Sequence, residues 1–307
     1  MYSVLIAGTA SLTALLFFSN SAALSAILWA LLSCLFYVHL EPYFLKIKKV
    51  NIKIANLKKP IKIVFIADLQ TRKCKGRQFL RRIIKKIIAL QPDLVLIGGD
   101  LISNEKGRSE YDVKALTELS RLTDNFPIYA VLGNHEYGRD YDEKTDKPKE
   151  IFADRHVEVV EILAKIKITL LMNTLVNLKV REQDLCLYGT DDLWAESASW
   201  ENIKTLKKET PLLALAHNPD AIISYPDGIR KPDLVLSGHT HGGQMRLPFI
   251  GPIGNAKLKL GRKYYQGLFQ INDIPLFVTH GLGESMFAMR LLTIPEIVEV
   301  TLQPEES

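Results

Sequence analysis

Residues 61–100 read IKIVFIADLQTRKCKGRQFLRRIIKKIIALQPDLVLIGGD. The opening run, Ile61–Ala67, is short, apolar and rich in β-branched residues, which predicts a buried strand that stops at Asp68. Phe79–Leu90 then alternates apolar pairs with basic pairs at a period of about 3.5 residues, placing Leu80, Ile83, Ile84, Ile87 and Ile88 on one helical face. Pro92 ends this helix. Asp93–Ile97 predicts a second buried strand, closing on Gly98-Gly99-Asp100. A strand, a helix and a strand in this order argue for an α/β domain.

The same alternation continues downstream. Val113–Leu122 reads as helix and Ile128–Leu132 as a strand ending in Gly133-Asn134-His135, and the charged stretch 137–150 reads as a surface loop. Further strands are expected at Leu185–Tyr188, Leu212–Ala216, Leu234–Ser237, Tyr264–Gln270, Leu276–Thr279 and Ile297–Leu302. The chain shows no internal repeat and no low-complexity segment. Its 307 residues suffice for a large core without disulfide staples, and 47% hydrophobic with 24% charged residues excludes a disordered or fibrous chain. Cys34, Cys74 and Cys186 have no metal-type spacing and are expected as reduced thiols.

Upstream, residues 2–40 contain no Asp, Glu, Lys or Arg. A spanning helix needs roughly 20 apolar residues, so two arrangements are open. Ala22–Leu40 crosses alone, or Val4–Phe18 and Ala22–Leu40 form a hairpin broken at Ser19-Asn20-Ser21. A cleaved signal peptide fits poorly, because no basic segment precedes the apolar run. Between Lys46 and Lys86 stand fifteen Lys or Arg and one acid, Asp68, against a whole-chain net charge of +5. Positive charge next to a span favours the cytoplasmic side and an anionic leaflet. The division expected is therefore 1–40 membrane anchor, 41–60 basic juxtamembrane segment and 61–307 catalytic domain, with the domain on the cytoplasmic side of the cell membrane. The basic face of Phe79–Leu90 has a plainer reading as a solvated helix surface, and nucleic acid ranks low because few aromatics interleave with the charge.

Polar residues gather where strands stop. Asp68 and Gln70 follow the first strand, Asp100 the second, Asn134 and His135 the third, His217 the strand 212–216, and His239 and His241 the strand 234–237. In an open α/β sheet successive strand ends converge on one rim. Aspartates, an amide and histidines meeting there would make a divalent-metal site. Each piece alone has a bland reading: an Asp after a strand is usually a turn former, and a single His is usually structural. Gly-His-Thr-His-Gly-Gly is the stronger signal, because two imidazoles among glycines can approach one metal pair without steric conflict.

The order Asp68-x-Gln70, Gly99-Asp100, Gly133-Asn134-His135-Glu136, His217 and Gly238-His239-Thr240-His241 resembles the calcineurin-like metallophosphoesterase superfamily, in particular its membrane-linked bacterial branch. Ala216-His217-Asn218-Pro219-Asp220, Ser237–Gln244 (SGHTHGGQ), Gly281-Leu282-Gly283, Arg290 and Pro295-Glu296-Ile297 are similar to that branch as well, so the likeness runs from about residue 41 to residue 302. The resemblance implies a calcineurin-like two-sheet α-β-β-α sandwich behind the N-terminal transmembrane segment. It also implies two divalent metal ions, manganese first, with zinc or iron as alternatives. Asp68, Gln70, Asp100 and His241 would hold one ion. Asp100, Asn134, His217 and His239 would hold the other, with Asp100 shared. His135 would be the catalytic non-ligand histidine, bonding the phosphate or protonating the leaving oxygen. Arg290 and His280 are candidate substrate-binding residues, each with an even alternative as a structural polar group.

One departure stands out. The family usually carries histidine where this chain has Gln70, and an amide oxygen is a harder, weaker ligand that favours manganese over zinc. The function expected from the resemblance is a membrane-anchored dinuclear-metal phosphoesterase cleaving a phosphodiester or pyrophosphate. Its substrate would be a phosphorylated small molecule or a membrane lipid, since the branch includes hydrolases of the UDP-diacylglucosamine pyrophosphate bond. The alternative is a non-catalytic membrane scaffold that keeps the fold, for which Gln70 is the only sequence support. A nuclease would instead require strongly salt-dependent nucleic-acid binding.

Overall fold

The computed structural model describes residues 21–73, 75–104, 110–195, 197–205 and 210–305. The first arm of the conceivable hairpin, Val4–Phe18, and Cys74 lie outside these residues. Helix α1, Ala22–Leu40, opens on a cap in which the Ser21 hydroxyl accepts the Leu24 N–H. Together with the following turn (Ala22–Tyr43, mean hydropathy 2.0) it is the one segment among the described residues long and apolar enough to cross a membrane.

Behind α1 the chain runs through β1 (Lys46–Ile54), β2 (Ile61–Ile66), α2 (Arg77–Leu90), β3 (Leu94–Gly98), α3 (Glu110–Ala115), α4 (Ser120–Thr123) and β4 (Ile128–Val131). Next come β5 (Arg139–Asp142), β6 (Lys147–Glu150), α5 (His156–Lys165), β7 (Thr169–Leu170), β8 (Thr174–Val180) and β9 (Gln183–Gly189). The last part holds β10 (Leu212–Leu215), β11 (Leu234–Ser237), β12 (Arg246–Leu247), β13 (Gly251–Pro252), β14 (Gly267–Ile271), β15 (Ile274–Val278) and β16 (Glu296–Pro304). Two six-stranded sheets result, ordered β1-β16-β2-β3-β4-β7 and β14-β15-β11-β10-β9-β8.

The apolar runs are uninterrupted because these strands are buried on both faces. In β2, Ile61, Ile63 and Phe65 point between the sheets, where they meet Leu187, Leu213, Leu236 and Phe277. Val64 and Ile66 point outward onto the apolar stripe of α2, among them Leu80, Ile83, Ile84 and Ile87. Outside the second sheet lie Trp200, Ile203, Ala221 and Ile222, carried by short 3-10 segments, Glu201–Thr205 and Pro219–Ser224. The two-sheet sandwich expected from the sequence is present, with a thinner outer layer on the second face.

Several segments differ from their sequence reading: the helix expected over Val113–Leu122 is broken by a 3-10 segment at Leu116–Leu119, and the strand expected from Tyr264 begins at Gly267. Residues 139–150 form the antiparallel hairpin β5–β6 rather than an open loop, held by a hydrogen bond from the Tyr141 hydroxyl to Asp146. Lys46–Ile54, within the basic stretch, is an edge strand parallel to β16. Of the basic residues counted there, Arg72 and Lys75 are buried on the Glu284 carboxylate instead of facing water.

The registers set an orientation that matters for function. β1 runs parallel to β16, and β16 antiparallel to β2, with Val298 opposite Phe65. The C-terminal ends of β2, β3 and β4 therefore lie at the edge of the sheet where β1 begins, just after α1. The connection is locked by hydrogen bonds. Arg290 N donates to Val38 O at 2.9 Å, Leu292 N to the Glu41 carboxylate at 2.8 Å, and Lys75 Nζ to Pro42 O at 2.8 Å.

Candidate metal centre

At that edge the backbone turns sharply after each strand. Asp68, Gln70, Asp100, His239 and His241 all take positive φ, between 46° and 71°. Such left-handed geometry costs a side-chain-bearing residue energy and concentrates where side chains must be aimed. Two glycines make room. A Cβ on Gly133 would collide with Asp100 Oδ1 and His217 Nε2, and one on Gly238 would sit 2.7 Å from Asp68 Oδ2.

Two triads of ligand atoms converge, each within 4.8 Å: Asp100 with His217 and His239, and Asp68 with Asp100 and His241. Asp100 belongs to both. His217 Nε2 lies 3.3 Å from Asp100 Oδ1. The amide of Gln70 donates from Nε2 to Asp100 Oδ2 at 2.9 Å, which turns Gln70 Oε1 the other way. Asn134 Nδ2 donates to Arg139 O at 2.8 Å, leaving Asn134 Oδ1 beside His239 Nδ1 at 3.0 Å. The outer nitrogens of the imidazoles are set by backbone carbonyls: His217 Nδ1 on Gly98 O at 2.7 Å and His241 Nδ1 on Gly283 O at 2.9 Å. Such anchoring leaves each Nε2 available as a ligand.

The donor set fits divalent cations by an observation independent of the motif. Among the described residues, Asp68 Oδ2, Gln70 Oε1, His217 Nε2 and His239 Nε2 are buried without a hydrogen-bond partner. Leaving four such atoms unsatisfied would be costly, and divalent cations bound among them would satisfy them. The electrostatics agree. Burial pushes the Asp68 carboxyl up to about 7, and burial together with Asp100 pushes Glu136 up to about 8. Burial alone would lower the His217 imidazole, but Asp100, Asp68 and Asp192 around it raise it to about 10. Burial lowers His239 to about 3, so it stays neutral, the form a metal ligand must have.

His135 stands at the opening. Its backbone N–H donates to Asp100 Oδ1 at 3.0 Å, and its ring Nδ1 contacts Ser103 O at 2.7 Å. A carbonyl can only accept, so Nδ1 carries a proton and Nε2 faces the site, 3.9 Å from Asp100 Oδ2. Glu136 is fully buried and accepts the N–H groups of Asp100, Ile102 and Gly133, tying the ligand loop after β3 to its own loop after β4.

The two candidate substrate-binding residues, Arg290 and His280, make structural contacts behind the cluster. Arg290 is fully buried. Its guanidinium donates to the carbonyls of Thr293, His280, Gly281 and Gly283, bracing the loop behind Asp68 rather than presenting charge to an open face. His280 packs beside it, with Nδ1 3.3 Å from Ile294 O. The structure adds residues that the sequence reading passed over. Asp192 follows β9 as Asp68 follows β2. Its Oδ1 accepts the N–H groups of Trp194 and Ala195, while Oδ2 is buried without a partner. Trp194 meets the His239 ring edge-on at 4.4 Å. The Gly189-Thr190-Asp191-Asp192 sequence at a strand end was the available signal.

A model of the calcineurin-like phosphoesterase family matches residues 61–243. The chain is 31% identical to phosphodiesterase YaeI of Escherichia coli strain K12, over 79% of this chain and 82% of that protein. It is 29% identical to the UDP-2,3-diacylglucosamine pyrophosphatase LpxG of Chlamydia muridarum, over 92% of this chain and 96% of that one. A Bos taurus transmembrane protein with a metallophosphoesterase domain is 28% identical over 79% of this chain, which spans about half (53%) of that protein.

Proposed function

The chain belongs to the calcineurin-like phosphoesterase family, and from that membership we propose a membrane-anchored hydrolase that cleaves a phosphodiester or pyrophosphate carried on a lipid. It is a metal-dependent phosphoesterase. In our reading, Asp68, Gln70, Asp100 and His241 hold one divalent ion, and Asp100, Asn134, His217 and His239 the other. Bound there, a pair of divalent ions would supply Lewis acidity toward phosphoryl oxygens and make water nucleophilic near neutral pH.

The protein's own contribution follows from the contacts. Asp100 positions both ligand sets, and Glu136 holds its loop in place. His135 presents Nε2 toward the opening with its tautomer set by Ser103 O, so a proton taken up on Nε2, the second on the ring, would be delivered to the leaving oxygen. The observation that carries the reading is the set of orphaned ligand atoms at the sheet edge from which β1 departs after α1. That shared edge supports a substrate drawn from the bilayer.

Three outcomes check this reading. Full-length protein in vesicles is expected to hydrolyse a lipid-borne pyrophosphate or diester at least about tenfold faster than the same headgroup on a soluble carrier, because anchoring raises the effective concentration. Equal rates for both would remove the lipid part of the proposal. Manganese is the proposed metal, since Gln70 offers an amide oxygen. After dialysis against equal manganese and zinc, Gln70→His should carry a higher ratio of zinc to manganese than the native protein. An unchanged ratio would contradict that role for Gln70. We also propose a cytoplasmic domain, supported by Lys46, Lys48 and Lys49 directly after the span. Protease added outside right-side-out vesicles should leave the domain intact, and its degradation would reverse the orientation.

A further inference from the structure

The large apolar side chains left exposed near α1 cluster on two loops. On the β12–β13 hairpin, Phe249 is fully exposed and Ile250 is 73% exposed, with Ile253 half-exposed behind them. Phe249 has a φ of 64°, a conformation rare for a bulky residue and one that here yields no packing in return. On the loop 285–292, Met286 is 76% exposed, and Phe287 and Leu292 are also in the open.

The two loops form one surface. Arg246 N donates to Leu291 O at 2.9 Å, Leu291 N to Gln244 O at 3.0 Å, and Gln244 Nε2 to the carbonyls of Ser285 and Phe287 at 3.0 Å each. That surface is continuous with the anchor, because Arg290 N bonds Val38 O and Leu292 N bonds the Glu41 carboxylate. Tyr43 and Phe44, at the end of α1, are half-exposed beside it. Basic groups flank it: Arg246 at the hairpin base, Lys46 at the start of β1, and Arg82, which donates to Tyr43 O at 3.0 Å. An apolar surface rimmed by cations next to a spanning helix has the chemistry of an anionic lipid interface.

We infer that the hairpin tip 248–250 and the loop 285–292 enter an anionic bilayer as a second membrane contact, holding the rim that carries His241 and Gln244 against the lipid surface. The inference rests on the anchor reading given above and adds to it. One crossing helix leaves a domain free to swing, whereas a second contact fixes which edge faces the lipid.

Spin labels test it in the full chain, with its three native cysteines replaced by alanine, in nanodiscs of phosphatidylethanolamine and phosphatidylglycerol. Single labels are placed at F249C, at M286C, at I27C on α1, and at E182C. Glu182 contacts Lys59 at 3.3 Å, beyond the far end of the nine-residue strand β1, roughly 27 Å along from the anchor. At F249C and M286C, oxygen accessibility is expected to exceed that of a water-soluble nickel chelate several-fold, with the reverse order at E182C. Should F249C fail to fold, M286C carries the same reading. Chelate accessibility at both loop positions equal to that at E182C, with I27C in lipid, would overturn this inference and leave the anchor standing. Water at I27C as well would overturn both. Dipolar broadening between loop labels that exclude the chelate and oxygen alike would assign the surface to a second copy of the chain, and so against the bilayer.

Discussion

Asp100→Asn is expected to lower turnover by at least about 10³-fold, the upper range for losing one preorganised electrostatic group, because two ion sites are disabled together. Asp100 uses both oxygens: Oδ1 faces His217 Nε2 and accepts the His135 N–H, while Oδ2 accepts from Gln70. An asparagine of the same shape turns one of those oxygens into an NH₂ group, which cannot ligate an ion. In one orientation it faces the His135 N–H, in the other the Gln70 amide, donor against donor. Bound metal per chain, measured by elemental analysis, should fall below that of the native protein in parallel with turnover. An Asp100→Asn protein that kept its metal and hydrolysed within about tenfold of native would refute the shared role.

His135→Ala is expected to lower turnover by about 10²–10⁴-fold, the usual range for a positioned acid or base, with the metal content unchanged. The histidine ring ligates nothing in the proposed scheme: its Nδ1 is held by Ser103 O, and its Nε2 faces the site 3.9 Å from Asp100 Oδ2. The loss should grow as the leaving group becomes more basic, because a good leaving group departs without a proton. An alkyl phosphodiester should therefore suffer more than a nitrophenyl one. The same loss for both would assign His135 to holding the phosphate instead. Loss of metal in this variant would show that the substitution had disturbed Asp100, whose carboxylate accepts the His135 N–H.

Legibility in the sequence followed burial. β2, β3, β4, β10 and β11 are buried on both faces and so read as unbroken apolar runs. β1 did not declare itself, although Val50, Ile52 and Ile54 alternate as a strand requires. Its lysines lie on an exposed edge and draw the eye to the membrane instead. The hairpin β5–β6 carries almost no apolar residues, and contacts such as that between Tyr141 and Asp146 hold it. The convergence of Asp68, Asp100, His217, His239 and His241 was legible because these residues follow strand ends, and topology brings strand ends together. Other features came from hydrogen-bond pairings that no periodicity or motif records. Ser103 sets the His135 tautomer, Arg139 sets the Asn134 amide, and Glu136 ties Asp100 to Gly133. Arg290 reads from sequence equally as a phosphate ligand or a structural polar group, and the fold places four backbone carbonyls around it.

The most direct test is to count metal ions on the purified full-length chain and follow phosphodiester hydrolysis through removal of the metal with EDTA and its return as manganese. Two ions per chain, with activity lost on chelation and restored on reloading, is the predicted result. Hydrolysis indifferent to EDTA, or a reloaded protein that saturates at a single ion, would contradict a shared Asp100 at the heart of the site.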